Sequence, residues 1–225
     1  IRHQMEKMDT QRQAEANYLR GRIFILLGQP EEAQAALDQA VKMAPSVGLY
    51  YHERGRLMLS RYRREYAAAT QDAKRKGYRE ALEKLQKLRD SALADFKTSA
   101  LAKQGLEPWE AAIANAVIKY YEGRPQEALQ ICASITDNRD PSLLKLAGQI
   151  YLELSWSEPA NYADAVKHFR KAVDIFRSDA ESRIGLADTY LQQVQHLDEK
   201  FLDLAMLNKA IEEYDVAIQL QDTVD

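Results

Sequence analysis

One short phrase occurs twice in this chain and constrains its fold more than any other feature. Residues 28–33 read Gly-Gln-Pro-Glu-Glu-Ala, and residues 123–128 read Gly-Arg-Pro-Gln-Glu-Ala. Glycine takes the left-handed backbone that ends a helix, and a proline two residues later suits the first turn of the next. The phrase predicts one helix–turn–helix junction written twice, and a chain that repeats its junctions folds by stacking units. The remaining pattern agrees. Apolar faces recur at helical spacing, as at Tyr18, Gly21, Ile25 and Leu143, Leu146, Ile150, Leu154, while strand-like alternation is nearly absent. Nine Gly and six Pro in 225 residues disfavour a turn-rich sandwich or barrel. Asp140-Pro141, Asp179 and Ser46 offer further helix starts.

The helix after each junction carries its own signature, Ala-x3-aromatic/Leu-x2-Ala. It reads Ala33, Leu37, Ala40, then Ala165, Phe169, Ala172, then Ala210, Tyr214, Ala217, with weaker copies at Ala92, Phe96, Ser99 and Ala128, Cys132, Ile135. The preceding helix places a small residue three before a larger one: Gly21/Phe24, Gly55/Met58, Gly148/Tyr151 and Ala187/Tyr190. These residues resemble the tetratricopeptide repeat family, whose motif puts small residues where two helices cross closely and larger ones in the gaps. Unit 14–47 fits best, through Gly21, Phe24, Gly28, Ala33, Leu37, Ala40 and Pro45, and departs at Asn17 and Arg20, where the family has an aromatic and a leucine.

The resemblance implies an all-α, right-handed superhelical solenoid of antiparallel helix pairs. The expected organisation is an N-terminal helical lead-in (1–13), then repeats at 14–47, 48–105, 106–140, 141–178 and 179–225, forming one continuous domain. The first-helix small residues fall at 21, 55, 116, 148 and 187, so the second unit exceeds the family period of about 34 by roughly 27 residues. That excess predicts two elongated helices of roughly 26 residues projecting as a hairpin, with Gly77 at the turn. Leu59, Tyr62, Tyr66, Ala69, Ala73 and Tyr78, Ala81, Leu85, Leu88, Ala92 would form its seam. Splitting 48–104 into two ordinary repeats would put Gln71 and Lys74 where a core aromatic and an alanine belong.

In the family, first helices line a groove that holds a partner's segment. Carried onto this chain, the groove would present Tyr18, Arg22, Ile25, His52, Arg56, Leu59, Ile113, Val117, Tyr120, Tyr121, Lys145 and Gln149. Aromatic and Arg residues are favoured interface anchors, and Arg22 and Arg56 sit one repeat apart, where two forks could grip a carboxylate. Some members of the family hold the acidic tails of chaperones, but Tyr18, Arg22 and Glu53 stand where that pattern wants Lys, Asn and Asn.

Charge is segregated. Arg54–Arg89 holds twelve basic residues against four acidic ones, a net of +8 inside a chain of net −3, while Asp198–Asp225 carries −6. Such fields steer partners. The basic hairpin, through Arg61, Arg63, Arg64, Lys74, Arg75, Lys76 and Arg79, would dock an acidic partner, a nucleic acid or an anionic membrane face. Nucleic acid fits the charge locally but not globally, and the hairpin tyrosines are assigned to the seam rather than to stacking on bases.

Nothing points to catalysis, a cofactor or a metal. The four histidines are dispersed, no phosphate-binding loop or nucleophile elbow occurs, and the single cysteine, Cys132, falls at a core position. Trp109 is expected between repeats, and Trp156 against the loop 157–161. The longest clean apolar run, Ile23–Leu27, is too short to cross a bilayer. Residue 1 is Ile, which points to a fragment of a longer protein. The reading is a non-catalytic protein–protein interaction scaffold within a larger protein or an assembly such as secretion or export machinery. Gln- and Ala-rich helices lean towards a bacterial source, and cytoplasm and periplasm both fit. The alternatives are a self-assembly module meeting another copy through Val216, Ile218 and Leu220, a regulatory domain of a larger enzyme, and nucleic-acid binding through the hairpin.

Overall fold

The computed structural model describes residues 2–70, 77–102, 105–135, 141–196 and 203–222, with side chains from residue 8 to residue 220 of these. Those residues form ten α-helices and no strand: α1 (Arg2–Leu26), α2 (Pro30–Met43), α3 (Gly48–Thr70), α4 (Tyr78–Leu101), α5 (Pro108–Tyr121), α6 (Pro125–Ser134), α7 (Ser142–Leu154), α8 (Asn161–Ile175), α9 (Ala180–His196) and α10 (Leu204–Asp222). The fold is an all-α helical repeat, in two units that divide at Ile118/Lys119.

The duplicated phrase makes the same junction twice. Gly28 and Gly123 take φ of 65° and 77°, a conformation open to glycine because it has no Cβ. At the first junction the Gly28 amide donates to Ile25 and the Gln29 amide to Phe24; at the second, Gly123 donates to Tyr120 and Arg124 to Lys119. This paired cap satisfies the last carbonyls of one helix, and Pro30 or Pro125 then opens the next. The Asp140 cap lies outside the described residues. Asp179 stands immediately before α9, whereas Ser46 lies two residues ahead of α3.

In the first unit, α1 packs on α2, α2 on α3, and α3 on α4. The crossings depend on small residues. A Cβ at Gly21 would lie 2.7 Å from Leu37, which is fully buried and fills the gap that glycine leaves. Gly55 does the same for α4, against the Ala92 carbonyl and Phe96. The elongated pair has 23 residues in α3 and 24 in α4, slightly fewer than expected. Its seam buries Leu59, Leu85 and Ala92, but Tyr66 is 44% exposed, contrary to its seam assignment. Two helices alone bury only a narrow stripe, and Tyr66 lies beside it with its ring 5.5 Å from Tyr62. Ala73 lies outside the described residues.

An ion pair ties three helices of this unit together. Arg54 on α3 donates Nε and Nη2 to the two carboxylate oxygens of Asp95 on α4, at 2.7 and 2.8 Å, and Nη1 to Asp38 on α2 at 2.8 Å. Asp95 is buried. The Asp95 contact pushes the guanidinium further above its usual value, while burial pushes the Asp95 carboxyl up against the pull of Arg54. The two tendencies oppose each other. The two-pronged geometry favours the charged pair at neutral pH, since each charge has its partner in hydrogen-bond contact.

The second unit packs α6 on α7, α7 on α8, α8 on α9 and α9 on α10. Phe169 on α8 sits between two glycines. A Cβ at Gly148 on α7 would lie 2.9 Å from its ring, and one at Gly185 on α9 only 2.3 Å away. On α9, Ala187 and Tyr190 are buried as the small-to-large spacing expects, and Gly185, outside that pair, is the residue that faces Phe169. Polar ties run alongside. Lys145 reaches Asp179 (3.1 Å) and Glu181 (2.9 Å), Arg183 reaches Glu213 (2.7 Å), and Arg170 donates to the Tyr190 hydroxyl (2.6 Å). Tyr214 donates to Asp188. Trp156, expected to seal its loop, is 62% exposed and rests edge-on against His196 at 4.8 Å, because the α7–α8 turn points its indole outward.

Two substitutions test these constraints by denaturant unfolding. Gly185→Ala drives a methyl into the Phe169 ring and is expected to cost about 1–3 kcal/mol. Asp95→Ala strips Arg54 of its buried partner and is expected to cost about 3 kcal/mol.

Candidate partner-binding face

Three first helices of the first unit, α1, α3 and α5, bring a group of polar and aromatic side chains onto one face. Tyr18 on α1 is buried and stacks on Tyr50 of α3, ring centroids 5.1 Å apart. The exposed Arg22, one turn along α1, holds its guanidinium over the Tyr18 ring at 5.8 Å. Burial raises the Tyr18 hydroxyl above its ordinary value, Glu53 on α3 raises it further, and Arg22 opposes both. Glu53 in turn pairs with Arg56, one turn on, at 3.7 Å. Glu110 at the start of α5 completes the group. It is nearly buried and accepts the Glu107 amide at 2.9 Å. Burial pushes the Glu110 carboxyl up; the Glu107 amide lowers it, Glu53 raises it and Arg56 lowers it.

This arrangement places two guanidinium forks, two carboxylates and an aromatic platform side by side. The forks suit carboxylates of a bound chain, and Glu53 and Glu110 suit its amides or ammonium groups. Of the expected groove residues, Tyr18, Arg22 and Arg56 meet here. Glu53, which departs from the chaperone-tail pattern, and Glu110 join them without being expected groove residues. The signal for Glu110 was its spacing three residues before Ile113, on the same side of α5.

The other expected residues lie elsewhere. His52, Leu59, Ile113 and Val117 are buried, with His52 edge-on to Phe96 at 5.5 Å. Ile25 is half-buried against the α1–α3 core. In the second unit, the half-buried Tyr120 and Tyr121 contact each other edge-on at 5.0 Å, Lys145 is held by its two acids, and Gln149 donates to Glu153 at 3.1 Å. On the hairpin, Arg61 is engaged by Glu65 (3.3 Å) and Glu31 (3.8 Å). Arg63, Arg64 and Arg79 are exposed. Lys74, Arg75 and Lys76 lie outside the described residues.

A cleft of about 350 Å³ opens in the second unit between α6, α7 and α8, lined by Cys132, Ile135, Leu143, Leu144, Lys171, Asp174 and Ile175. Burial pushes the Cys132 thiol up to about 12, which keeps it protonated and a poor nucleophile at neutral pH. Among the described residues no three His, Cys, Asp or Glu side chains come together as a metal site, and no helix is long and apolar enough to cross a membrane.

Stacked helix pairs with this junction chemistry define a helical-repeat fold. Residues 14–47 match the family model described as Tetratricopeptide repeat. Solved structures with similar folds include YrrB, a tetratricopeptide-repeat protein with an unusual peptide-binding site (16% identity, 92% of this chain and 90% of that one, TM-score 0.41). MamA from Desulfovibrio magneticus RS-1 is another (16% identity, 94% and 96% covered, TM-score 0.37). A monomeric mutant of IFIT1 with Gppp-AAAA is a third (18% identity, TM-score 0.49), and its match covers 92% of this chain and 47% of that one. No curated protein matches the sequence.

The raised Glu110 carboxyl has a definite consequence. Its neutral form is the one the fold favours, so its contribution to stability is present at low pH and lost as pH rises through its folded value. Glu110→Gln keeps an acceptor for the Glu107 amide. The variant is expected to melt above wild type at pH 7 and to match it well below the ordinary carboxylate value of 4.5; thermal melts at pH 7 and pH 3 measure this.

Proposed function

We propose that this chain is a non-catalytic binding scaffold whose α1–α3–α5 face holds an extended segment of an acidic partner protein. The observation that carries the reading is the convergence of Tyr18, Arg22, Glu53, Arg56 and Glu110 from three successive first helices. A fixed row of forks, carboxylates and one ring suits a peptide lying across the helices, because each helix meets a different residue of it. Arg22 and Arg56 would take its carboxylates, and Tyr18 supplies the apolar base beneath Arg22. The exposed Arg63, Arg64 and Arg79 of the α3–α4 hairpin add a positive field that speeds encounter without changing the contacts made in the groove. The expected setting is a larger protein or a multiprotein assembly such as export machinery.

The test is selection from a displayed random-peptide library, followed by binding measurements on the peptides recovered. Acidic peptides are expected, and the Arg22→Ala/Arg56→Ala pair should weaken them at least about tenfold. Charge reversal at Arg63 and Arg64 should slow association and leave dissociation unchanged. Peptides of no charge preference, or equal affinity for the double variant, would sink the reading.

A further inference from the structure

Two helix faces of this chain are exposed, apolar and complementary, and neither belongs to the face described above. On α1, directly opposite its buried side, Met8, Leu19, Ile23 and Leu26 are exposed with Arg12 among them. Their spacing places them on one stripe. On α10, Leu204, Ile211 and Ile218 recur every seven residues, all exposed, with the exposed Asp215 between the last two. At the helical rise the stripes are about 27 Å and about 21 Å long. The α1 stripe is interrupted by the exposed Arg12 and Glu15, and the α10 stripe by the exposed Asn208 and Asp215, so each mixes apolar and charged or polar groups as interaction surfaces do.

We infer that these stripes are the two halves of a head-to-tail contact, in which α10 of one copy packs on α1 of the next. Three observations support a second copy as the occupant. The first is precedent within the fold: α2 packs on α3 and α8 on α9, so a second helix against a first helix is the interface both units already use. The second is charge: in the antiparallel packing of such pairs the Met8–Arg12 end of α1 meets the Asp215–Ile218 end of α10, and Arg12 opposes Asp215. The third is length, since the α10 stripe fits within the longer α1 stripe. Because the two halves differ, the contact is heterologous and can extend to chains of copies.

The experiment uses two single variants, Ile23→Glu and Ile211→Glu, each at an exposed position, with helicity and melting temperature checked against wild type. Light scattering over a concentration series should show wild type growing beyond a dimer. Each variant alone should be a monomer at concentrations where wild type assembles, a weakening of at least about tenfold. An equimolar mixture should form a 1:1 dimer and stop there, since each variant retains one intact half. Arg12→Asp and Asp215→Arg should each weaken assembly, and mixing them should restore it. Wild type that stays monomeric at all concentrations would overturn the inference. So would an Ile211→Glu protein that still pairs with itself, which would mean α1 meets α1. Peptide binding by the α1–α3–α5 face is read separately and does not depend on the outcome.

Discussion

The close crossing of neighbouring helices is the constraint on which the rest of this structure depends. Two helix axes can approach only where one side offers no side chain, and the facing residue then fills the space. Gly21 admits Leu37 in the first unit, and Gly148 and Gly185 admit Phe169 from both sides in the second. Both large residues are buried. Once those knobs are seated, the rotation of each helix about its axis is set, and so is the choice of outward-facing residues. The α1–α3–α5 face is a consequence of this. Tyr18 and Arg22 flank Gly21 on α1, and Glu53 and Arg56 flank Gly55 on α3.

Polar contacts then fix what apolar packing leaves loose. Hydrophobic burial is non-directional, so it tolerates small slips of one helix along another. Arg54 removes that freedom by gripping Asp95 and Asp38 from two other helices. Lys145 links α7 to the start of α9 in the same manner. These ties also decide which charges remain for partners. Arg54 and Lys145 are spent internally, whereas Arg22 and Arg64 are exposed. The +8 of the hairpin region therefore overstates the charge a partner meets, because acids outside that stretch answer Arg54 (Asp38 and Asp95) and Arg61 (Glu31).

Much of the fold was legible residue by residue. The Gly-x-Pro phrases predicted both junctions because a left-handed glycine followed by a helix-opening proline has few other uses. The Ala-x3-aromatic/Leu-x2-Ala signature located Leu37, Phe169, Ala172, Ala210 and Ala217 in buried positions. Gly185, which faces Phe169 from α9, lies outside the small-to-large pairs that the spacing picks out. Heptad spacing failed at Tyr66, because it counts positions and does not say how wide a seam two helices can bury. Among the expected groove residues, Tyr18, Arg22 and Arg56 come together, with Tyr18 itself buried beneath Arg22, and His52, Leu59, Ile113 and Val117 are buried as well. Spacing alone does not distinguish a residue facing the groove from one a third of a turn away.

The sequence by itself determined the helical class, the junctions and the small-to-large pairing of crossings, because each is written within a few consecutive residues and set by local backbone and steric rules. The tertiary structure alone decided that Glu110 is buried and that Glu53, 57 positions away in the chain, comes near enough to add to the effect of burial in raising its carboxyl. It also decided that Arg54 has three helices to hold, and that Phe169 lies between two glycines rather than against one. Those outcomes turn on distances between side chains of different helices, which follow from how the helices rotate and settle against one another and are not encoded at any single position.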